Sequence, residues 1–256
     1  QRMVPEVVQA SQPNRDESKV KGRVFAITED SHGVAGALIE LLESHGARCQ
    51  LVRAGDQLPR VDGLIHLDAL HSQIAEPVKS LFELAQQALE QKVQWILGAT
   101  TLGGRFGVGD SGVAEIRGAG ISGFLKSLAL EAPSTRVCAV DLRRDAPPKE
   151  LAQYLFTELV GDDSTVEVGY VSGRRHRLRP TARPLEKKSP KLSLGPDSVV
   201  LITGGARGYR IIPDVRRVSS PDAGTCSRED VATACGQRPD SAIGGQSGVD
   251  RGPGLT

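Results

Sequence analysis

Apolar and polar positions change period repeatedly along the first 183 residues. "RVFAIT" (23–28) is a short apolar run and predicts a buried strand. "GVAGALIELLESHG" (33–46) places Val34, Leu38, Leu41 and Leu42 on one helical face, and Gly46 ends it. Strands follow at 47–53 and 61–67. "EPVKSLFELAQQALEQ" (76–91) predicts a helix with Val78, Leu81, Phe82, Leu84, Ala85 and Leu89 as its inner stripe. Then come a strand at 93–100, a helix at 120–132, a strand at 136–142, a helix at 149–161, and strands at 166–173 and 175–183.

Strands that are apolar throughout need helices over both faces. The alternation therefore predicts an α/β fold: a doubly wound, mostly parallel, Rossmann-like sheet with right-handed crossovers. Residues 1–21 contain Pro5, Pro13, Asn14 and scattered charges without a period, and read as a linker. The sheet unit spans 22–183, and "PLEKKSPKLSLGPD" (184–197) reads as a second linker. "SVVLIT" restarts the alternation, so 198–208 reads as the first strand and glycine turn of a truncated second unit.

The pattern dissolves at Tyr209. Residues 209–256 contain one Leu, seven Gly, and no Phe or Trp. They offer too little apolar surface to offset ordering costs of about 1–2 kcal/mol per residue, so a largely disordered tail is expected. The change is so abrupt that it reads as translation in a shifted frame. The chain starts with Gln, which reads as a piece of something longer.

Net charge is +1 with 25% charged residues, which argues against nucleic acid or membrane as an obligatory partner. The basic run "GRRHRLRPTAR" (173–183) reads as a solvated edge strand. Cys49, Cys138, Cys226 and Cys235 have no zinc-like spacing and read as free thiols. With no signal peptide and no apolar run of membrane-spanning length, a cytoplasmic location is expected.

Two turns bear on chemistry. In a dinucleotide site, glycines after the first strand let the backbone approach the pyrophosphate, and the next helix aims free N–H groups at it. "TEDSHGVA" (28–35) keeps only Gly33, and Glu29 and Asp30 put negative charge where a diphosphate would lie. The expectation is that residues 23–173 bind no cofactor. "TGGARG" (203–208) has the spacing the turn needs, and Arg207 could pair with the extra phosphate of NADPH. The candidate cofactor-binding residues are Thr203, Gly204, Gly205, Arg207 and Gly208. "GGRFGVGDSG" (103–112) reads as a mobile loop.

"DGLIHLDAL" (62–70), "GFLKSLALE" (123–131), "RVCAVDL" (136–142) and "VVLITGGARG" (199–208), in this order, resemble the ketoreductase region of polyketide synthases and polyunsaturated-fatty-acid synthases. The resemblance covers residues 22–208. It implies two short-chain-dehydrogenase-like halves: a silent structural subdomain, and a second half that binds NADPH and reduces a β-ketoacyl group on an acyl carrier protein. In an active half, a Ser after the middle strand and a Tyr on the next helix deliver the proton. Here the strand ends in Thr100 and Thr101, and the helix offers Ser122 and Lys126 but no Tyr. No catalytic residue is assigned to the chain, and Lys126 reads as a solvated lysine.

Three functional readings stand. The first is the scaffold half of the reductase, with the catalytic half and an acyl carrier protein as partners. The second is an active NADPH-dependent short-chain reductase. The third is another doubly wound nucleotide-binding enzyme.

Overall fold

A computed structural model describes residues 2–53, 55–109, 116 and 118–184. The expectations for 185–256, among them the glycine turn and the tail, lie outside the described residues. The strands are β1 (Arg2–Gln9), β2 (Val24–Thr28), β3 (Arg48–Val52), β4 (Gly63–His66), β5 (Trp95–Thr100), β6 (Arg136–Asp141), β7 (Glu167–Val171) and β8 (Arg174–Arg183). The helices are α1 (Val34–Ser44), α2 (Pro77–Glu90), α3 (Ala119–Glu131) and α4 (Pro148–Val160). Pro77 and Pro148 start α2 and α4, where a missing N–H costs nothing.

One eight-stranded sheet runs in the order β1-β8-β7-β6-β5-β4-β2-β3. Strands β3 through β7 of that order are mutually parallel, and β8 and β1 are added antiparallel at one edge. Numbered in chain order among themselves, the six parallel strands run 2-1-3-4-5-6, which is the doubly wound 2-1-3-4-5 order with one further strand. Chain direction reverses between β2 and β4, which places the switch point there.

Each face has its own core. Leu38 and Leu42 of α1 and Leu155, Phe156 and Leu159 of α4 cover Phe25, Ile27, Leu97, Val140 and Val168 on one side. Leu81 and Leu84 of α2 and Ile121, Leu125 and Leu128 of α3 cover Ala26, Leu64 and Ile96 on the other. Each buried Leu, Ile, Val or Phe among them stabilises the fold by about 1.5–3 kcal/mol.

The face assignment corrects one expectation. The connections through α1, α2 and α3 share one hand, the right-handed one by rule. Helix α4 joins parallel neighbours β6 and β7 in the direction taken by α3, yet lies on the opposite face, so this crossover has the other hand. Its apolar stripe is what covers β5 and β6 beside α1.

Residues 1–21, expected as an irregular linker, are largely built into the sheet. Strand β1 pairs with β8 from Arg2↔Arg183 to Gln9↔His176, and Glu17–Val20 forms a 3-10 turn that buries Val20. Strand β8 is therefore flanked on both sides over Arg175–His176, and the solvated-edge reading of 173–183 fails at Arg175, while 177–183 stay largely exposed. Arg175 is buried at 2% exposure, and its guanidinium grips both oxygens of Glu158 at 2.7 and 3.0 Å. Tyr170 donates to the same carboxylate. Phe82, expected on the inner stripe of α2, is 48% exposed and meets Phe124 edge-on.

Candidate functional site

Ligands of open α/β sheets bind outside the carboxyl ends of the strands, at the switch point. Here that place is the turn from β2 into α1, facing the segment after β4. Gly33 adopts φ +83°, a left-handed conformation that suits glycine, and starts α1. The free N–H groups of this helix end point at a carboxylate of the chain itself. Asp30 accepts from His32 and Val34 at 2.7 and 3.1 Å through Oδ2, and from Ala35 at 2.8 Å through Oδ1. A pyrophosphate would need these donors. The neighbouring Glu29 binds the Arg53 guanidinium at 2.9 Å.

The crevice between β2 and β4 is laced shut. Thr28 Oγ1 accepts from the Leu67 N–H at 2.7 Å. Ser31 donates to the Leu70 carbonyl at 3.1 Å and accepts from the Ser72 N–H at 2.8 Å. A hollow of about 180 Å³ remains, lined by Glu29, Arg53, Asp68, His71 and Ile74. That is smaller than the roughly 300–1,000 Å³ of small-molecule sites. The residues at this switch point do not fit a dinucleotide.

Beneath the hollow lie Ser, His and Asp side chains that the sequence reading did not single out. Ser80 donates to Asp68 Oδ2 at 2.5 Å, and His66 Nε2 lies 3.2 Å from the same oxygen. His66 is 0% exposed and Asp68 1%. Burial works against the ionised Asp68 carboxyl, but His66 and Ser80 outweigh it and hold the group below its usual range. The hydroxyl gives its proton to the carboxylate, so the imidazole, whose Nε2 lies 3.4 Å from Ser80 Oγ, does not take it, and Ser80 is buried. The trio lacks the geometry of an activated nucleophile.

A second cradle of backbone donors lies after β5, and it too holds a carboxylate. Asp141, at the end of β6, accepts from Thr100 Oγ1 at 2.7 Å, from the Leu102 N–H at 2.6 Å and from the Phe106 N–H at 2.7 Å. The Gly104 N–H also favours the ionised carboxylate. Burial pushes the Asp141 carboxyl above its ordinary range, and these donors offset only part of that. The loop passes so close to β7 that a Cβ on Gly104 would lie 2.0 Å from the Tyr170 carbonyl oxygen. Within the segment expected to be a mobile loop, Gly104 lies against β7 and the Phe106 N–H bonds Asp141; 110–112 lie outside the described residues.

The positions that carry acid–base chemistry in an active reductase are spent or empty. Thr100 serves Asp141, Ser122 is buried in α3, and Lys126 pairs with Glu167 at 2.8 Å. Tyr154 and Tyr170 stack at 4.2 Å on the α4 face of the sheet, opposite the face that α3 covers. Their hydroxyls bond Glu150 and Glu158. Burial and Glu150 push the Tyr154 phenol up to about 12, away from proton transfer near neutrality. Cys49 and Cys138 are free thiols, and burial pushes both up, Cys49 to about 12. Thr203, Gly204, Gly205, Arg207 and Gly208 lie outside the described residues. Among the described residues no group of three metal-ligating side chains converges, and no helix is long and apolar enough to cross a membrane.

No family model matches the chain. Over 99 residues, 38% of the chain, it is 30% identical to Polyketide synthase PksL of Bacillus subtilis (strain 168), and that stretch spans 2% of the relative. An adenylation, ketoreductase and pseudo Asub multidomain structure of a keto acid-selecting NRPS module aligns with a TM-score of 0.59 at 17% identity. It covers 75% of this chain and 19% of that one. A C2-type ketoreductase from a modular polyketide synthase aligns with a TM-score of 0.52 at 16% identity, over 73% of this chain and 44% of that one. The chain spans less than half the length of each of these proteins. Its fold is the doubly wound fold of these ketoreductase-containing proteins, and its short sequence match is to a polyketide synthase.

Proposed function

We propose that this chain is the non-catalytic structural half of an NADPH-dependent β-ketoacyl reductase from a multidomain synthase. The observation that carries this reading is the Asp30 carboxylate on the α1 N-terminus, where an active half would hold pyrophosphate. The missing proton-delivery side chains support it, as does an intact two-faced core. A scaffold needs a docking face, and α2 with α3 offers one. Val78 packs over Gly120, and Phe82 and Phe124 meet at the surface. In the complete protein, Thr203, Gly204, Gly205, Arg207 and Gly208 would contact NADPH, and the acyl group would arrive on a carrier protein. The rival reading, an active reductase, rests on "TGGARG" alone.

The test is reconstitution. The chain alone should not oxidise NADPH with a β-ketoacyl thioester. Added to a separately expressed catalytic half, it should raise that half's melting temperature and turnover, and Phe82→Asp should remove the gain. Turnover by the chain alone, or no effect on the catalytic half, would overturn the reading.

A further inference from the structure

Strand β8 pairs with β7 only from Gly169↔His176 to Val171↔Arg174, whereas it pairs with β1 as far as Arg183. Residues 2–8 and 177–183 therefore run beyond β7 as a two-stranded ribbon. Opposed residues of an antiparallel pair share a face. One ribbon face carries Met3, Pro5, Val7, Leu178, Pro180 and Ala182. The other, continuous with Arg175 and so on the α4 side, carries Arg2, Val4, Glu6 and Val8 opposite Arg183, Thr181, Arg179 and Arg177.

On the second face four arginines stand against one glutamate. Glu6 is already engaged by Arg179 at 3.0 Å and Thr181 at 2.8 Å. Arg2, Arg177 and Arg183 are exposed and have no ion pair among the described residues. Val4 and Val8 lie half-buried between them. A chain of net charge +1 thus concentrates cations on one flat face.

We infer that this arginine face docks an acidic amphipathic helix of a partner protein. Arg177 and Arg179 project from one strand about 6.8 Å apart, and carboxylates four residues apart on a helix lie about 6 Å apart. Val4 and Val8 offer apolar contact that a helix with an alternating acidic and apolar stripe can use. A nucleic acid fits less well: the face carries no aromatic side chain for stacking, and the near-neutral chain supplies no long-range attraction. The inference does not depend on the proposed reductase role.

The test uses the full chain and a fluorescent synthetic helix of roughly 20 residues with Glu at every fourth position. The same helix with Lys for Glu and a DNA duplex of similar charge serve as controls. The Glu helix should bind in a salt-sensitive manner. Arg177→Glu with Arg183→Glu should weaken it at least about tenfold and create binding to the Lys helix. Both side chains are exposed, so the fold should persist, as circular dichroism would verify. Equal binding by both proteins, no binding to the Glu helix, or tighter binding to the duplex would overturn the inference.

Discussion

Asp30 and Asp141 do the same local chemistry with different consequences. Each carboxylate fills a cradle of backbone N–H groups at the carboxyl edge of the sheet. Asp30 does so at a half-exposed helix end, where its donors could otherwise meet a ligand or water. Asp141 is 1% exposed and holds a glycine-rich loop against β7. The first occupies a would-be binding site at little structural cost if lost. The second is part of the frame, because its Thr100 and Leu102 donors are buried and have no other partner among the described residues. An anion cradle is thus functional or structural according to what else can satisfy it.

The comparison breaks most readily at the buried cradle. Gly104 combines φ +74° with a backbone approach that leaves no room for a Cβ. Gly104→Ala should cost about 3–5 kcal/mol in chemical denaturation. Asp141→Ala should cost about 2–3 kcal/mol, because it strands buried N–H groups. A smaller effect tests the charge of Asp141. Its raised pKa means that the native state binds the proton more tightly than the unfolded chain does. Its contribution to stability must therefore fall as pH rises above the ordinary Asp value near 3.9 through the native one. The stability gap between the protein and Asp141→Asn should narrow from acid to neutral pH, and a widening gap would refute the raised value. Asp30→Ala should cost least, about 1 kcal/mol, as for loss of a helix cap. Equal losses at Asp30 and Asp141 would erase the distinction.

Most elements were legible because burial on both faces leaves unbroken apolar strands such as "QWILGAT", and helices show a clear stripe. The exceptions have physical reasons. Strand β1 contains Pro5, interrupts its apolar residues with Glu6 rather than alternating regularly, and gains its partner from residues more than 160 positions away, so no local pattern marks it. The hand of the α4 crossover depends on which sheet face lacks cover, which is a tertiary matter. Arg175 reads as one of a basic run because its partner, Glu158, lies on another element. At the site, the sequence showed Asp30 as an unfavourable charge for a diphosphate, but not that its carboxylate would take the diphosphate's donors. Asp141 left a faint signal: an acidic residue ending an apolar strand, in a chain with a glycine-rich loop after the adjacent strand.

The central claim is that the β2–α1 turn is closed to dinucleotides by Asp30. The most direct measurement is a titration of the full chain with NADPH, with NADH as control, following the backbone amide resonances of Val34 and Ala35. Neither amide should shift up to roughly millimolar cofactor, whose binding would correspond to only about 4 kcal/mol. A saturable shift of both, with NADPH preferred, would show that the cofactor displaces the Asp30 carboxylate and would contradict the account.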